Sequence, residues 1–297
     1  MLNGPKFLFF SLIIAVLFTV SFALAQTHTS LSNHHVLADL LNEHILCVPG
    51  DSKRPCVLQV TVYTPEGKGP FPLAVMNHGA QGIPKLNPRY KFSLAAQYFL
   101  SRGYAVALPM MRGFAGSGGF PDTGCNLEQT GIDNAKDILA VINYMSTQPY
   151  IDGNKVVVAG LSFGGWNTLA VGIFDDPRIK GLVNFSGGVR VSGCGDQDSM
   201  LSLAAAHYGA QTTTPSIWFY GDNDKLFSKR VWKDMYDSYT EEGGPAELVD
   251  YSKFMDNAHN LFGYTDGFQV WIPKLDTFLT RAGLPGKLIY PQYLPFK

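Results

Sequence analysis

The run Lys155-Val156-Val157-Val158-Ala159-Gly160-Leu161-Ser162-Phe163-Gly164-Gly165-Trp166 constrains this chain more than any other stretch. Three valines and an alanine fit a short buried strand, and the residues after Gly165 fit a helix, so a G-x-S-x-G pattern falls between strand and helix. In a chain with 31 glycines the pattern alone is weak evidence, and its flanks give it weight. A serine at such a turn stands proud of the sheet with strained backbone angles, and the residues two positions to either side must lack bulk for strand and helix to close up. Gly160 and Gly164 meet that demand. The helix that starts after Ser162 also aims its first amides at the site, where a developing negative charge is stabilised. The alternative is a glycine-rich turn merely capped by its serine. A partial second match, Ala115-Gly116-Ser117-Gly118-Gly119, lacks the first glycine, runs into Pro121 and reads as a loop.

With 297 residues, 46% hydrophobic and 16% charged, the chain can bury the core of one large α/β domain. A net charge of -1 and the lack of any Lys/Arg run give no reason to expect nucleic acid or an acidic membrane surface, which leaves a small or neutral molecule as partner. Lys6, the apolar stretch Phe7 to Phe22 and the small-x-small site Ala23-Leu24-Ala25 read as a signal peptide over residues 1–25, with an uncleaved anchor as the alternative. Residues 26–297 then form a single domain, exported to a periplasm or secreted, a monomer or weak oligomer with no membrane contact after cleavage. Four cysteines in an exported chain favour two disulfides over metal ligation, with four free thiols as the alternative. Of the three connectivities, Cys47 with Cys56 closes a short loop through Pro49-Gly50 and leaves Cys125 with Cys194, both in loops beyond carboxyl ends of strands expected to flank the Ser162 strand. His28, His34 and His35 are only a weak metal signal, and no metal or organic cofactor is implied.

Alternation of β-branched residues makes Val57 to Tyr63 a strand, paired with an earlier one near His44 to Val48. From there strands and helices alternate: strand Leu73–Asn77, helix Lys91–Arg102, strand Tyr104–Pro109, helix Leu127–Thr147, the Ser162 strand, helix Trp166–Phe174 and strand Gly181–Ser186. After a segment with one short helix, Ser199 to Tyr208, come strand Ser216–Tyr220, helix Ser228–Glu241, strand Glu247–Tyr251 and helix Gly267–Ala282. Such alternation predicts an α/β fold with a mostly parallel central sheet, helices on both faces and no large cap domain.

Ligands of such sheets collect beyond the carboxyl ends of the strands. Asn77-His78-Gly79-Ala80-Gln81-Gly82 is a glycine-bearing turn able to aim a backbone N–H at an oxyanion. The glycine-rich loop Met111 to Gly119 fits neither phosphate-binding pattern, and its Arg112 either binds a substrate carboxylate or anchors the loop, the second being favoured. Only His207 and His259 follow Ser162, and only His259 lies beyond Gly221-Asp222-Asn223-Asp224, so the order nucleophile, acid, histidine selects Ser162, Asp224 and His259. Asp222 directly follows the glycine at its strand end and is better placed to brace the turn.

Gly160-Leu161-Ser162-Phe163-Gly164-Gly165, Gly221-Asp222-Asn223-Asp224 and Ala258-His259-Asn260 resemble α/β-hydrolase motifs, nearest to the dienelactone hydrolase-like branch, over about residues 55–283. The resemblance implies Ser162 as nucleophile, Asp224 as acid, His259 as base, and the amides of Phe163 and Ala80 as oxyanion donors. Dienelactone hydrolases proper carry cysteine as nucleophile where this chain has Ser162. The expected activity is a Ser-Asp-His acyl-enzyme hydrolysis of carboxylic esters with small or compact acyl groups. The size expectation rests on Gly187 to Thr214, which is short for a mobile lid, with Phe163, Trp166, Phe227 and Phe262 as pocket walls. A serine exopeptidase, suggested by Met111-Arg112-Gly113, and a non-catalytic binding protein on the same fold are the alternatives.

Overall fold

The computed structural model describes residues 41–295 apart from Phe92 and Thr123; the expected signal peptide and the histidine tract lie outside the described residues. From His44 onward the chain forms one unit around an eight-stranded sheet of order β1-β2-β4-β3-β5-β6-β7-β8. The strands are β1 (His44–Pro49), β2 (Val57–Tyr63), β3 (Phe71–Asn77), β4 (Ala105–Pro109), β5 (Ile151–Leu161), β6 (Ile179–Phe185), β7 (Ser216–Tyr220) and β8 (Ala246–Asp250). β1 and β2, and β2 and β4, pair antiparallel, and every later pairing is parallel. The helices are α1 (Leu94–Ser101), α2 (Leu127–Ser146), α3 (Phe163–Val171), α4 (Gln197–Ala210), α5 (Lys229–Glu241) and α6 (Phe268–Arg281).

The central strands are buried on both faces, so they read as continuous apolar runs: Leu73 to Met76, Ala105 to Leu108 and Val156 to Ala159 are fully buried. Their side chains alternate between two cores. Val75, Ala107 and Val158 join the cluster beneath α2, α3, α4 and α5. The opposite face is closed by α1 and α6, whose Tyr98 and Trp271 rings meet edge to face 5.0 Å apart. A half-buried carboxylate ties that face together: Asp276 accepts from the buried Tyr98 Oη at 2.6 Å and from Arg102 Nε at 3.0 Å.

The sheet order puts β3, not β4, beside β5. Every loop that leaves a parallel strand at its carboxyl end therefore opens on the same edge of the sheet as Ser162. α4 runs 14 residues, longer than the expected one short helix, because Asp196 caps it by accepting from Ser199 N. Its buried residues Leu201, Ala204, Ala205 and Tyr208 pack it down as part of the helical layer.

Candidate active site

Ser162 sits between β5 and α3 with φ 56° and ψ -122°, a conformation sparsely populated by residues with a side chain. The turn holds because its neighbours have none. A Cβ on Gly160 would overlap the Gly164 carbonyl, and one on Gly164 would overlap the Asn77 carbonyl at the end of β3. The Ser162 amide donates to Phe185 O at 2.9 Å, and its carbonyl accepts from Trp166 N at 3.0 Å and Gly188 N at 3.1 Å. Three elements thus fix the backbone from which Oγ projects.

Asp224 lies in the turn after β7, its side chain wholly buried. Its Oδ1 accepts from the amides of Leu226 at 2.8 Å and Phe227 at 3.0 Å, and its Oδ2 takes the Nδ1–H of His259 at 2.9 Å. That bond leaves Nε2 of His259 as the unprotonated nitrogen of the neutral ring. Asp222 does not reach the histidine; it pairs with Lys229 at 2.7 Å. Two asparagines that the sequence reading passed over stitch the acid and base loops together. Asn257 Oδ1 accepts from Lys225 N at 3.0 Å and from His259 N at 3.1 Å, while Asn223 Oδ1 accepts from Phe254 N at 3.0 Å. The only signal in the sequence is an Asx residue one position before Asp224 and another two positions before His259.

His78 fixes the turn after β3. Its Nδ1–H donates to Gly79 O at 2.7 Å, and its Nε2 accepts from Met111 N at 2.9 Å, so one neutral ring ties the β3 and β4 loops together. Burial between Tyr90 and Phe114 pushes its pKa down to about 4. The turn it holds carries Gly79 beside Ser162, where a Cβ would lie 3.2 Å from that of Ser162, and then Ala80. Among the described residues neither the Phe163 nor the Ala80 amide donates to a backbone acceptor, and both residues border the same recess.

Two pockets meet at Ser162, sharing Ala80 and Leu226. The first, about 520 Å³, contains His78, Gln81, Asn87, His259, Asn260 and Tyr264. The second, about 500 Å³, is walled by Phe114, Phe163, Val189, Val191 and Phe227. Phe227 thus lines a pocket that also contains Ser162.

Other expected site residues fall elsewhere. Arg112 lines neither pocket: it is buried in a two-pronged pair with Asp137, Nε to Oδ2 at 2.9 Å and Nη2 to Oδ1 at 2.7 Å, and so anchors its loop. Trp166 is fully buried, its Nε1–H donating to Leu127 O at 2.9 Å, and its work is to seat α3 on α2. Phe262 stacks on Phe185 at 3.7 Å, away from the pockets. Cys125 and Cys194 are bonded, with Cα atoms 5.4 Å apart, although Cys125 follows β4, one strand further out than expected. Cys47 and Cys56 are free thiols, correcting the expected second disulfide. Cys47 pairs with Gln59 while Cys56 O accepts from Gly50, three positions along the ladder, so the two side chains point to opposite faces of the β1–β2 pair. No metal-binding cluster occurs among the described residues.

The strand order, with a serine at the sharp turn after the fifth strand and histidine and carboxylate from the last two strand-end loops, decides the fold. This is an α/β-hydrolase fold. Solved α/β-hydrolases superpose on it: Porphyromonas gingivalis dipeptidyl peptidase 4 at TM-score 0.62 and 18% identity, covering 80% of this chain and 35% of that one. A Klebsiella pneumoniae protein named for dienelactone hydrolases superposes at TM-score 0.55 and 14% identity, covering 80% and 97%. A family model, X-Pro dipeptidyl-peptidase (S15 family), matches residues 54–197, a span that holds Ser162 and stops short of Asp224 and His259. The quorum-quenching protein AidA of Acinetobacter baumannii (strain MDR-ZJ06) is 31% identical over 123 residues, 41% of this chain and 38% of that protein. The chain thus spans about two fifths of the length of the curated relatives it matches. The α/β-hydrolase fold agrees with the sequence resemblance.

Proposed function

We propose that the protein is an exported serine hydrolase that cleaves carboxylic esters of small or compact acyl groups. The observation that carries the reading is the 2.9 Å bond between His259 Nδ1 and Asp224 Oδ2, made where His259 shares a pocket with Ser162. His259 Nε2 takes the Ser162 proton as Oγ attacks the ester carbonyl; Asp224 fixes the tautomer and stabilises the imidazolium. The amides of Phe163 and Ala80 receive the oxyanion, the alcohol leaves with the proton from His259, and water repeats the sequence on the acyl-enzyme. Export is supported by the Cys125–Cys194 disulfide, a bond favoured outside the cytosol. No helix among the described residues is long and apolar enough to cross a membrane.

The test has two arms on the mature protein. A fluorophosphonate should label Ser162 and leave Ser162→Ala unlabelled; absence of labelling rejects the hydrolase reading. Among p-nitrophenyl esters of increasing acyl length, kcat/KM should peak at acetate to butyrate, and a peak at palmitate would reject the size assignment. One observation favours a second reading, serine exopeptidase: the match to the X-Pro dipeptidyl-peptidase family over residues 54–197. Faster turnover of dipeptidyl anilides than of any ester would decide for it.

A further inference from the structure

The two pockets at Ser162 are not equivalent, because His259 borders only one of them and Phe163 only the other. In acyl transfer the base that accepts the serine proton returns it to the departing group, which must therefore lie on the histidine's side of the tetrahedral carbon. The acyl group then occupies the opposite side. That side is the second pocket, where Phe114 from the β4 loop, Val189 and Val191 from the β6 loop, and Phe227 offer apolar surface to a substituent, beside the charged Asp122 and Arg190.

The two facing walls of this pocket come from separate loops. Phe114, Pro121 and Asp122 belong to the loop after β4, and Gly188 to Ser192 to the loop after β6. Each is anchored near its base, the first by the Arg112–Asp137 pair and the second by Gly188 N donating to Ser162 O. Across their outer ends runs the Cys125–Cys194 bond, three residues past Asp122 and two past Ser192. Among the described residues no hydrogen bond or ion pair joins 111–125 to 186–196, so the disulfide is the tie between the walls.

We propose that the second pocket is the acyl subsite and that the Cys125–Cys194 disulfide is the clasp that sets its width, and hence the acyl size the enzyme accepts. The proposal rests on Ser162 being the nucleophile. Cutting the clasp leaves Ser162, His259 and Asp224 in place, because the one support that Ser162 draws from these loops, Gly188 N on its carbonyl, lies at the base of the second wall. The outer ends are then held separately, the first by Arg54 on Asp122 and the second by Gln197 on Val191 and Cys194, with no tie to stop the walls shifting apart.

The experiment uses alkylphosphonofluoridates with a common alkoxy group and either a methyl or a hexyl chain on phosphorus. Ser162 Oγ forms a bond to phosphorus, the P–F bond breaks, fluoride leaves and His259 takes the proton, so the readout needs neither an ester nor a peptide substrate. The hexyl-to-methyl ratio of labelling rates is measured for the oxidised protein, the protein reduced with a trialkylphosphine, and Cys125→Ser/Cys194→Ser. We expect the ratio to rise about tenfold on reduction and in the double variant, as when a pocket gains room for a methylene chain, and to fall back on reoxidation of the reduced protein. An unchanged ratio with undiminished methyl labelling overturns the clasp while leaving the serine-hydrolase reading intact. Failure of the oxidised protein to label with either probe overturns both. If the double variant does not fold, the reversible reduction decides alone.

Discussion

Asp222 and Asp224 stand two residues apart in one turn and have different work. Asp224 is buried, with one oxygen on two backbone amides and the other on His259, whereas Asp222 is partly exposed and paired with Lys229. Asp224→Asn places an amide where the imidazole needs an acceptor, favours the wrong tautomer, and should lower kcat roughly 10⁴-fold. Asp222→Asn removes one partly exposed ion pair and should leave kcat nearly unchanged; steady-state kinetics of the two variants side by side check this, and a larger loss in Asp222→Asn would reverse the roles. That Asp224 and not Asp222 meets His259 was legible because chain order and loop context both selected it. The work of Arg112 was only partly legible: its partner Asp137 lies 25 residues away on α2, and no local pattern announces such a pair. Cys47 was misread for a related reason, since closeness in sequence says nothing about which face of a strand pair a side chain takes.

At the scale of elements, the strands that the sequence marks best are those with buried β-branched or aromatic runs. Val57–Tyr63 and Ser216–Tyr220 occur as expected from the pattern. Helix ends were less legible because caps decide them: Ser93 accepts from Ala96 N and starts α1 three residues after the expected Lys91. The turn from β5 to α3 was legible in full, since its glycines are demanded by contacts the motif itself encodes. It also stores strain. Residues held at such angles cost about 1–3 kcal/mol, and glycine escapes that cost while adding unfolded-state entropy, so Ser162→Gly should abolish turnover yet raise stability by about 1 kcal/mol. Urea unfolding at an unchanged m-value reads this directly; a lower midpoint for the variant would show that the turn is relaxed.

At the scale of the whole molecule, stability should carry the signature of His78. Its pKa is about 4 in the folded protein against 6.5 for an unperturbed histidine, so between these values the unfolded chain binds the proton that the native state refuses. The contribution of the neutral buried ring is complete above pH 6.5 and is lost as pH falls toward 4, amounting to about 2 kcal/mol between pH 7 and pH 5. Urea midpoints at the two pH values should show that loss in the wild type and a smaller one in His78→Gln; equal losses would mean that other groups govern the acid limb. The overall architecture was the most legible level, because strand-helix alternation permits few arrangements. The placing of β3 between β4 and β5 was not, since it depends on pairing rather than on pattern.

The spread of the site along the chain also has a meaning in time. During synthesis Ser162 leaves the ribosome long before its base, and His259 follows Asp224 by a further 35 residues. The nascent chain therefore carries an unactivated alcohol through about a third of its translation. On the proposed mechanism it cannot take an acyl group from an ester until the last third of the polypeptide has been made and has closed β7 and β8 onto the sheet.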